Sequence, residues 1–178
     1  SLPTRRSSDL MQTADSGIAE LDISQIIQKY QNMVYGIALT QLKHRSEADD
    51  VFQDVFLTYH RKNPAFESEE HRKAWLIRTA VVICKRYNLS PWHTHTVSLD
   101  NTEEVDKFTC ETEEQNRLLD ALRDLKPRYK IPIYLYYFEN MPAELIAQTL
   151  DIKYDNVRKR LSRGRQLLKD RLERDYFE

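Results

Sequence analysis

The sequence predicts an all-α chain, built as two small helical domains joined by an acidic linker. Three observations predict it. The 178 residues include only three glycines and six prolines, too few breakers for an all-β sandwich or a glycine-rich nucleotide loop. Apolar residues recur at three- and four-residue spacing in both halves, and no stretch alternates as a strand would. Lys+Arg is 27 and Asp+Glu is 28, a net charge of −1, which excludes a uniformly basic nucleic-acid coat but leaves room for local basic patches. No run approaches the ~18–20 apolar residues of a membrane span, and the N-terminus lacks the apolar core of a signal peptide. A cytoplasmic location without direct membrane insertion is therefore expected. Cys84 and Cys110, the two cysteines, make no disulfide framework and read as unpaired thiols. His93 and His95 have no carboxylate or cysteine at ligand spacing and read as linker surface, so no metal and no cofactor are expected.

Residues 1–10 resemble the translation of a sequencing-adapter oligonucleotide, with Met11 following as a start codon would. They are set aside as a non-native segment. From Asp22 the pattern turns helical. Ile23, Ile26, Ile27, Tyr30, Val34, Ile37, Ala38 and Leu42 form one stripe, and Asp22 with Gln25 can cap its start. Ser46 followed by Glu47 and Asp49 reads as the start of a second helix, with acids where the helix dipole favours them. Val51, Phe52, Val55, Phe56 and Tyr59 carry that helix, and Asn63-Pro64 ends it. Ser68, Glu69 and Glu70 open a third helix to about Tyr87, with Ala74, Ile77, Val81 and Cys84 as its inner seam. Between Ser98 and Glu114 there are seven acids and one lysine, a net −6 segment. Residues 22–95, 96–112 and 113–176 are the expected first domain, linker and second domain.

The second half is helical again. Leu118, Leu119, Leu122 and Leu125 define a helix ending before Pro127. Tyr129 to Phe138 define another, with Pro132 in its first turn. Pro142 opens a third, running through Leu150, and a last helix runs from about Tyr154 to beyond Leu172. Ala147 is small where two helices must cross. Asp151, four residues on, falls at a turn position that wants a left-handed backbone. Val157, ten residues after Ala147, can plug the second helix into the first. This is the spacing of a DNA-binding helix-turn-helix. At about 100° per residue, Val157, Leu161, Gly164, Leu168 and Leu172 share one side of the last helix. Asn156, Lys159, Ser162, Arg163 and Gln166 face away, with Arg158, Arg160 and Arg165 flanking. From Ile152 to Leu172 there are eight basic and two acidic residues, a concentration suited to phosphates, and Asn and Arg near the helix start suit base edges. Gly164 should cost that helix about 1 kcal/mol relative to Ala.

Two separated motifs carry a resemblance. One is Ala48-Asp-Asp-Val-Phe-Gln-Asp-Val-Phe-Leu57, followed by Ala74-Trp-Leu-Ile-Arg78. The other is Leu125-Lys-Pro-Arg-Tyr129, followed by the helix-turn-helix ending Val157-Arg-Lys-Arg-Leu-Ser-Arg-Gly-Arg165. Residues 22–174 resemble a bacterial RNA polymerase sigma factor of the sigma-70 class, in the small extracytoplasmic-function group, with its sigma-2 and sigma-4 domains. The resemblance implies a non-catalytic factor that binds core RNA polymerase and directs promoter recognition. It places Asp49, Asp50, Gln53 and Asp54 on the clamp helices of the polymerase largest subunit, and exposed acids suit a basic partner. It places Trp75, Arg78, Lys85 and Arg86 on the melted minus-10 element, where cations hold a backbone and aromatic rings can stack bases. Trp75 is equally readable as core. Val82 stands where the family often has Asn, so base reading by that residue is not carried over, and the segment from Tyr87 to His95 is the alternative. Asn156, Arg158, Lys159, Arg160, Ser162, Arg163 and Arg165 are assigned to the minus-35 duplex. An anti-sigma partner is implied by the resemblance alone.

Two rivals compete. A stand-alone helix-turn-helix regulator would need only the second half. A helical hydrolase or metalloenzyme would use Asp49, Asp50 and Asp54, but no Glu-x-x-His pair on another helix completes a di-metal bundle.

Overall fold

A computed structural model of the chain describes residues 18, 20–90 and 112–177. Among them are seven helices and no strand: α1 (Ile23–Gln41), α2 (Arg45–Lys62), α3 (Glu69–Leu89), α4 (Glu113–Arg123), α5 (Pro127–Tyr137), α6 (Ala143–Leu150) and α7 (Tyr154–Phe177). The adapter-like residues 1–10 and linker residues 96–111 lie outside the described residues.

Local chemistry sets most of the helix boundaries. Asp22 accepts the Gln25 N–H at 2.8 Å while Gln25 returns a bond to the Asp22 N–H at 3.0 Å, the expected capping box of α1. Ser68 caps α3 through the His71 N–H at 3.0 Å, and Thr112 caps α4 through the Gln115 N–H at 3.2 Å. Such caps contribute about 1 kcal/mol each. The start of α2 differs from the sequence reading. His44, not Ser46, stands at the cap, and Glu47 reaches back to the His44 N–H at 3.4 Å. Asn63 ends α2 at φ 39°, just before Pro64. Helix α5 also starts earlier than read, with Pro127 in its first turn, so Pro132 sits in the interior. Its missing N–H leaves the Arg128 carbonyl without its usual helical donor.

Helices α1, α2 and α3 pack on one another, as do α4, α5, α6 and α7. Ile26, Val34, Ala38, Ala48, Val51, Val55, Leu76, Ile77 and Ala80 have no exposed surface in the first group. Leu122, Ile133, Leu135, Ile146 and Val157 have none in the second. Burying one such large side chain contributes about 1.5–3 kcal/mol, so packing outweighs capping in holding each group. The α3 seam is broader than read: Leu76, Ala80 and Ile83 are buried, while Ala74 is only half-buried.

The two groups also touch. Helix α1 contacts α4 and α5, and α3 contacts α6. Six consecutive α1 residues, Met33 to Ala38, are all buried. A helix covered on one side cannot bury six residues in a row, because 3.6 residues complete a turn. Helices α2 and α3 cover one flank of α1, and α4 and α5 cover another.

Candidate nucleic-acid interface

The helix-turn-helix is α6, a three-residue turn and α7. Asp151 sits at φ 53°, the left-handed geometry expected of it. The turn closes with the Ile152 N–H donating to the Ala147 carbonyl at 3.1 Å and the Asp151 N–H to the Gln148 carbonyl at 3.4 Å, a Schellman-type ending. Ala147 and Val157 are both buried, as a close α6–α7 crossing requires. Gly164 is explained by the same kind of approach. A Cβ there would run into the Ile133 Cδ1 methyl and lie 3.2 Å from Ile133 Cγ1 and 3.5 Å from the Tyr129 Cβ. The helix gives up about 1 kcal/mol of propensity to let α5 and α7 meet.

With Val157, Leu161, Gly164 and Leu168 buried, α7 has one free face. Asn156, Arg158, Lys159, Ser162, Arg163 and Arg165 are exposed, and Arg160 is half-buried at the edge. Beside that face runs a groove of about 440 Å³ lined by Tyr136, Tyr154, Arg158, Ser162, Arg165 and Lys169, among others. The Arg158 guanidinium lies 5.8 Å from the Tyr154 ring centre and that of Arg165 lies 5.7 Å from the Tyr136 ring centre. Arg165 Nε also donates to the Leu161 carbonyl at 3.3 Å. These contacts hold long cations in place before any ligand arrives. The tyrosines were not singled out in the sequence, because Tyr136 is 36 Å-scale chain contour away from the motif only in sequence order and joins it through the α5–α7 packing.

On the first group, Trp75 is half-buried. Its ring meets Tyr59 edge-on at 5.7 Å and Phe66 at 6.1 Å. Its remaining edge lines a groove of about 460 Å³ between the end of α2 and α3. Trp75 is therefore both packed and available. Arg78, Thr79, Val82 and Arg86 line the groove from α3, and Thr58, Arg61 and Lys62 from α2. The lining contains four Arg or Lys side chains and no carboxylate. Lys85 is exposed but does not line the groove. Val82 is 55% exposed. Arg61 and Lys62 escaped the sequence reading, since in sequence they are only the basic last turn of a helix.

The acidic residues of α2 divide into two kinds. Asp50 and Gln53 are exposed. Asp49 and Asp54 are half-buried: Asp49 accepts the Tyr35 hydroxyl at 2.9 Å and Asp54 the Tyr87 hydroxyl at 3.1 Å. Burial, then the Asp54 bond, pushes the Tyr87 phenol up to about 12. These two carboxylates tie α2 to α1 and α3. Leu57, 56% exposed, continues the stripe of Asp50, Gln53 and Asp54 at helical spacing. No group of three His, Cys, Asp or Glu that could hold a metal occurs among the described residues. Nor is any helix among them long and apolar enough to cross a membrane.

A helix-turn-helix with a cationic outer face, carried with a second helical group, defines a DNA-binding protein of the transcription machinery. The sigma-70 region 2 family model matches residues 26–90, and the sigma-70 region 4 model matches residues 115–168. The chain is 26% identical over 163 residues to an ECF RNA polymerase sigma-E factor of Haemophilus influenzae, covering 83% of this chain and 86% of that one. It is 22% identical over 162 residues to the ECF RNA polymerase sigma factor SigW of Bacillus subtilis, with 83% and 87% covered. Its fold is similar to that of sigma factor RpoE in complex with the anti-sigma factor NepR from Bartonella quintana, at a TM-score of 0.63 and 19% identity, covering 85% of this chain and 97% of that one. The chain belongs to the sigma-70 family, in its extracytoplasmic-function group: it is a sigma factor directing transcription initiation, and the stand-alone regulator is set aside.

Proposed function

We propose that this sigma factor reads the minus-35 duplex with α7, holds the opened minus-10 strand on the α2–α3 groove, and docks on core RNA polymerase through the outer stripe of α2. The observation that carries this reading is the pairing of two cationic surfaces, one on each helical group, with an acidic stripe on α2. Asn156, Lys159 and Arg163 face base edges in the major groove, while Arg158, Arg160, Ser162 and Arg165 meet phosphates beside it. Arg61, Lys62, Arg78 and Arg86 surround a groove whose apolar floor is Trp75 and Val82. That combination suits an unstacked base on a neutralised backbone. With Val82 in place of an amide, base recognition there rests on shape and stacking, and the segment from Tyr87 to His95 supplies polar contacts. Lys85 neutralises the strand outside the groove.

On α2, Asp50 and Gln53 meet the clamp helices of the polymerase largest subunit, with Leu57 as the apolar anchor. Asp49 and Asp54 complete the stripe while keeping their tyrosine bonds. The chain supplies no catalysis of its own and acts in the cytoplasm. Similar solved structures hold anti-sigma factors, and control by such a partner belongs to this reading.

The test is run-off transcription from the region upstream of the factor's own coding sequence, using core polymerase with residues 11–178. A discrete start site that depends on the factor is expected. DNA binding by the chain with no binding to core polymerase would overturn the docking assignment.

A further inference from the structure

The joint between the two helical groups is built on the C-terminal end of α1. Lys130 Nζ, from α5, donates to the Thr40 carbonyl at 2.9 Å, and Arg123, from the end of α4, donates to the Lys43 carbonyl at 2.9 Å. On the far side, Lys73 of α3 pairs with Glu139, just past α5, at 3.0 Å. Helix α1 has no basic residue in its own last turn. The cations that complement the negative end of its dipole come from the other group.

Lys130 also makes this joint shallow. The residue is 8% exposed, and its ammonium gives its hydrogen bond to a neutral carbonyl rather than a carboxylate. An ammonium withdrawn from water without a carboxylate partner offsets much of what its bond contributes. Burial, and then the nearby Arg123 charge, pushes Lys130 below the ordinary lysine value, with Asp124 opposing. The contact is thus specific in geometry and modest in strength.

We propose that this joint is a latch: Lys130, Arg123 and the Lys73–Glu139 pair hold the free chain closed, and the latch opens before both promoter elements are occupied. The proposal rests on the minus-10 and minus-35 reading above. Those elements lie roughly 20 base pairs apart, ~70 Å along unbent DNA. A compact chain of this length is only about 40 Å across. The exposed residues of α7 and the α2–α3 groove remain uncovered in the closed form. The latch therefore leaves each DNA face open and instead limits the span between them. The 21 residues from 91 to 111 can reach about 70 Å when extended, enough to keep the groups tethered once parted.

Solution scattering from the full chain tests the latch without polymerase. Lys130→Glu sets an anion against the Thr40 carbonyl and the negative end of α1. Its radius of gyration should rise roughly 1.3-fold or more at unchanged helix content. Lys73→Glu should also expand the chain, and Lys73→Glu with Glu139→Lys should restore the compact radius. Lys130→Met keeps the stem and removes the desolvated charge. It should stay compact and form open promoter complexes at least about threefold more slowly, because the closed state gains population. An unchanged radius in Lys130→Glu overturns the latch; if that variant loses helix content, an unchanged radius in Lys73→Glu does so. Open-complex formation by Lys130→Met as fast as by the parent also overturns it. Binding of a minus-35 duplex by the parent chain is measured alongside. Its absence would sink the promoter reading, whatever the scattering shows.

Discussion

Three non-glycine residues hold positive φ, Asn63, Asn140 and Asp151, and each sits at a bend between helices. Asp151 is the informative one, because the helix-turn-helix depends on it. An Asp in the left-handed region is tolerated, but glycine relieves its Cβ strain. Asp151→Gly should therefore raise stability by about 0.5–1 kcal/mol, read as a higher urea midpoint, with minus-35 affinity unchanged. A lower midpoint would mean that the Asp151 carboxylate contributes more than its backbone strain costs. Lys159 and Arg163 lie on the outer face of α7, away from the buried seam. Replacing either by Ala should weaken binding to a minus-35 duplex and lower the slope of log affinity against log salt by about 1. Unchanged affinity and slope in both would refute the recognition face.

At the scale of elements, Glu69 fastens α1 to α3. It accepts the Tyr30 hydroxyl at 2.5 Å and the Lys29 ammonium at 2.9 Å, and pairs with Arg72 one turn along its own helix. Burial pushes its carboxyl up, but these hydrogen bonds and the two cations hold it below the ordinary value of 4.5. The unfolded chain therefore binds this proton more readily than the folded one. Its contribution is complete above about pH 4.5 and fades as pH falls through the lower folded value. Urea midpoints of the parent and Glu69→Gln should thus differ by a constant amount from pH 7 to about pH 5 and converge below. A constant difference down to pH 3 would contradict the assigned bonds. The elements themselves were largely legible, since the Asp22, Ser68 and Asp151 signals and the apolar stripes are local. The missed starts of α2 and α5 have a local cause too: His44 and Lys126 stand at cap positions without the small polar side chains that usually mark them.

The whole molecule was the least legible scale. The positions of the cationic residues on α7 followed from helical period alone. The sharing of duties on α2 did not, because only the approach of Tyr35 and Tyr87 reveals that Asp49 and Asp54 are structural ties as well as surface acids. Likewise Arg61 and Lys62 join Arg78 and Arg86 only once α2 lies beside α3. Lys130 reads in sequence as one more solvated lysine, and nothing local marks it as the residue that crosses between groups. The unbroken burial of Met33 to Ala38 carries a consequence for how such a chain is made. The first helix leaving the ribosome is also the one needing cover on every flank, and α4 and α5, part of that cover, are encoded roughly 70 residues later. Until they emerge, the nascent N-terminal half presents a greasy back that invites chaperones or a premature partner. A protein that captured it during synthesis would hold the factor unassembled without ever touching its DNA-binding faces.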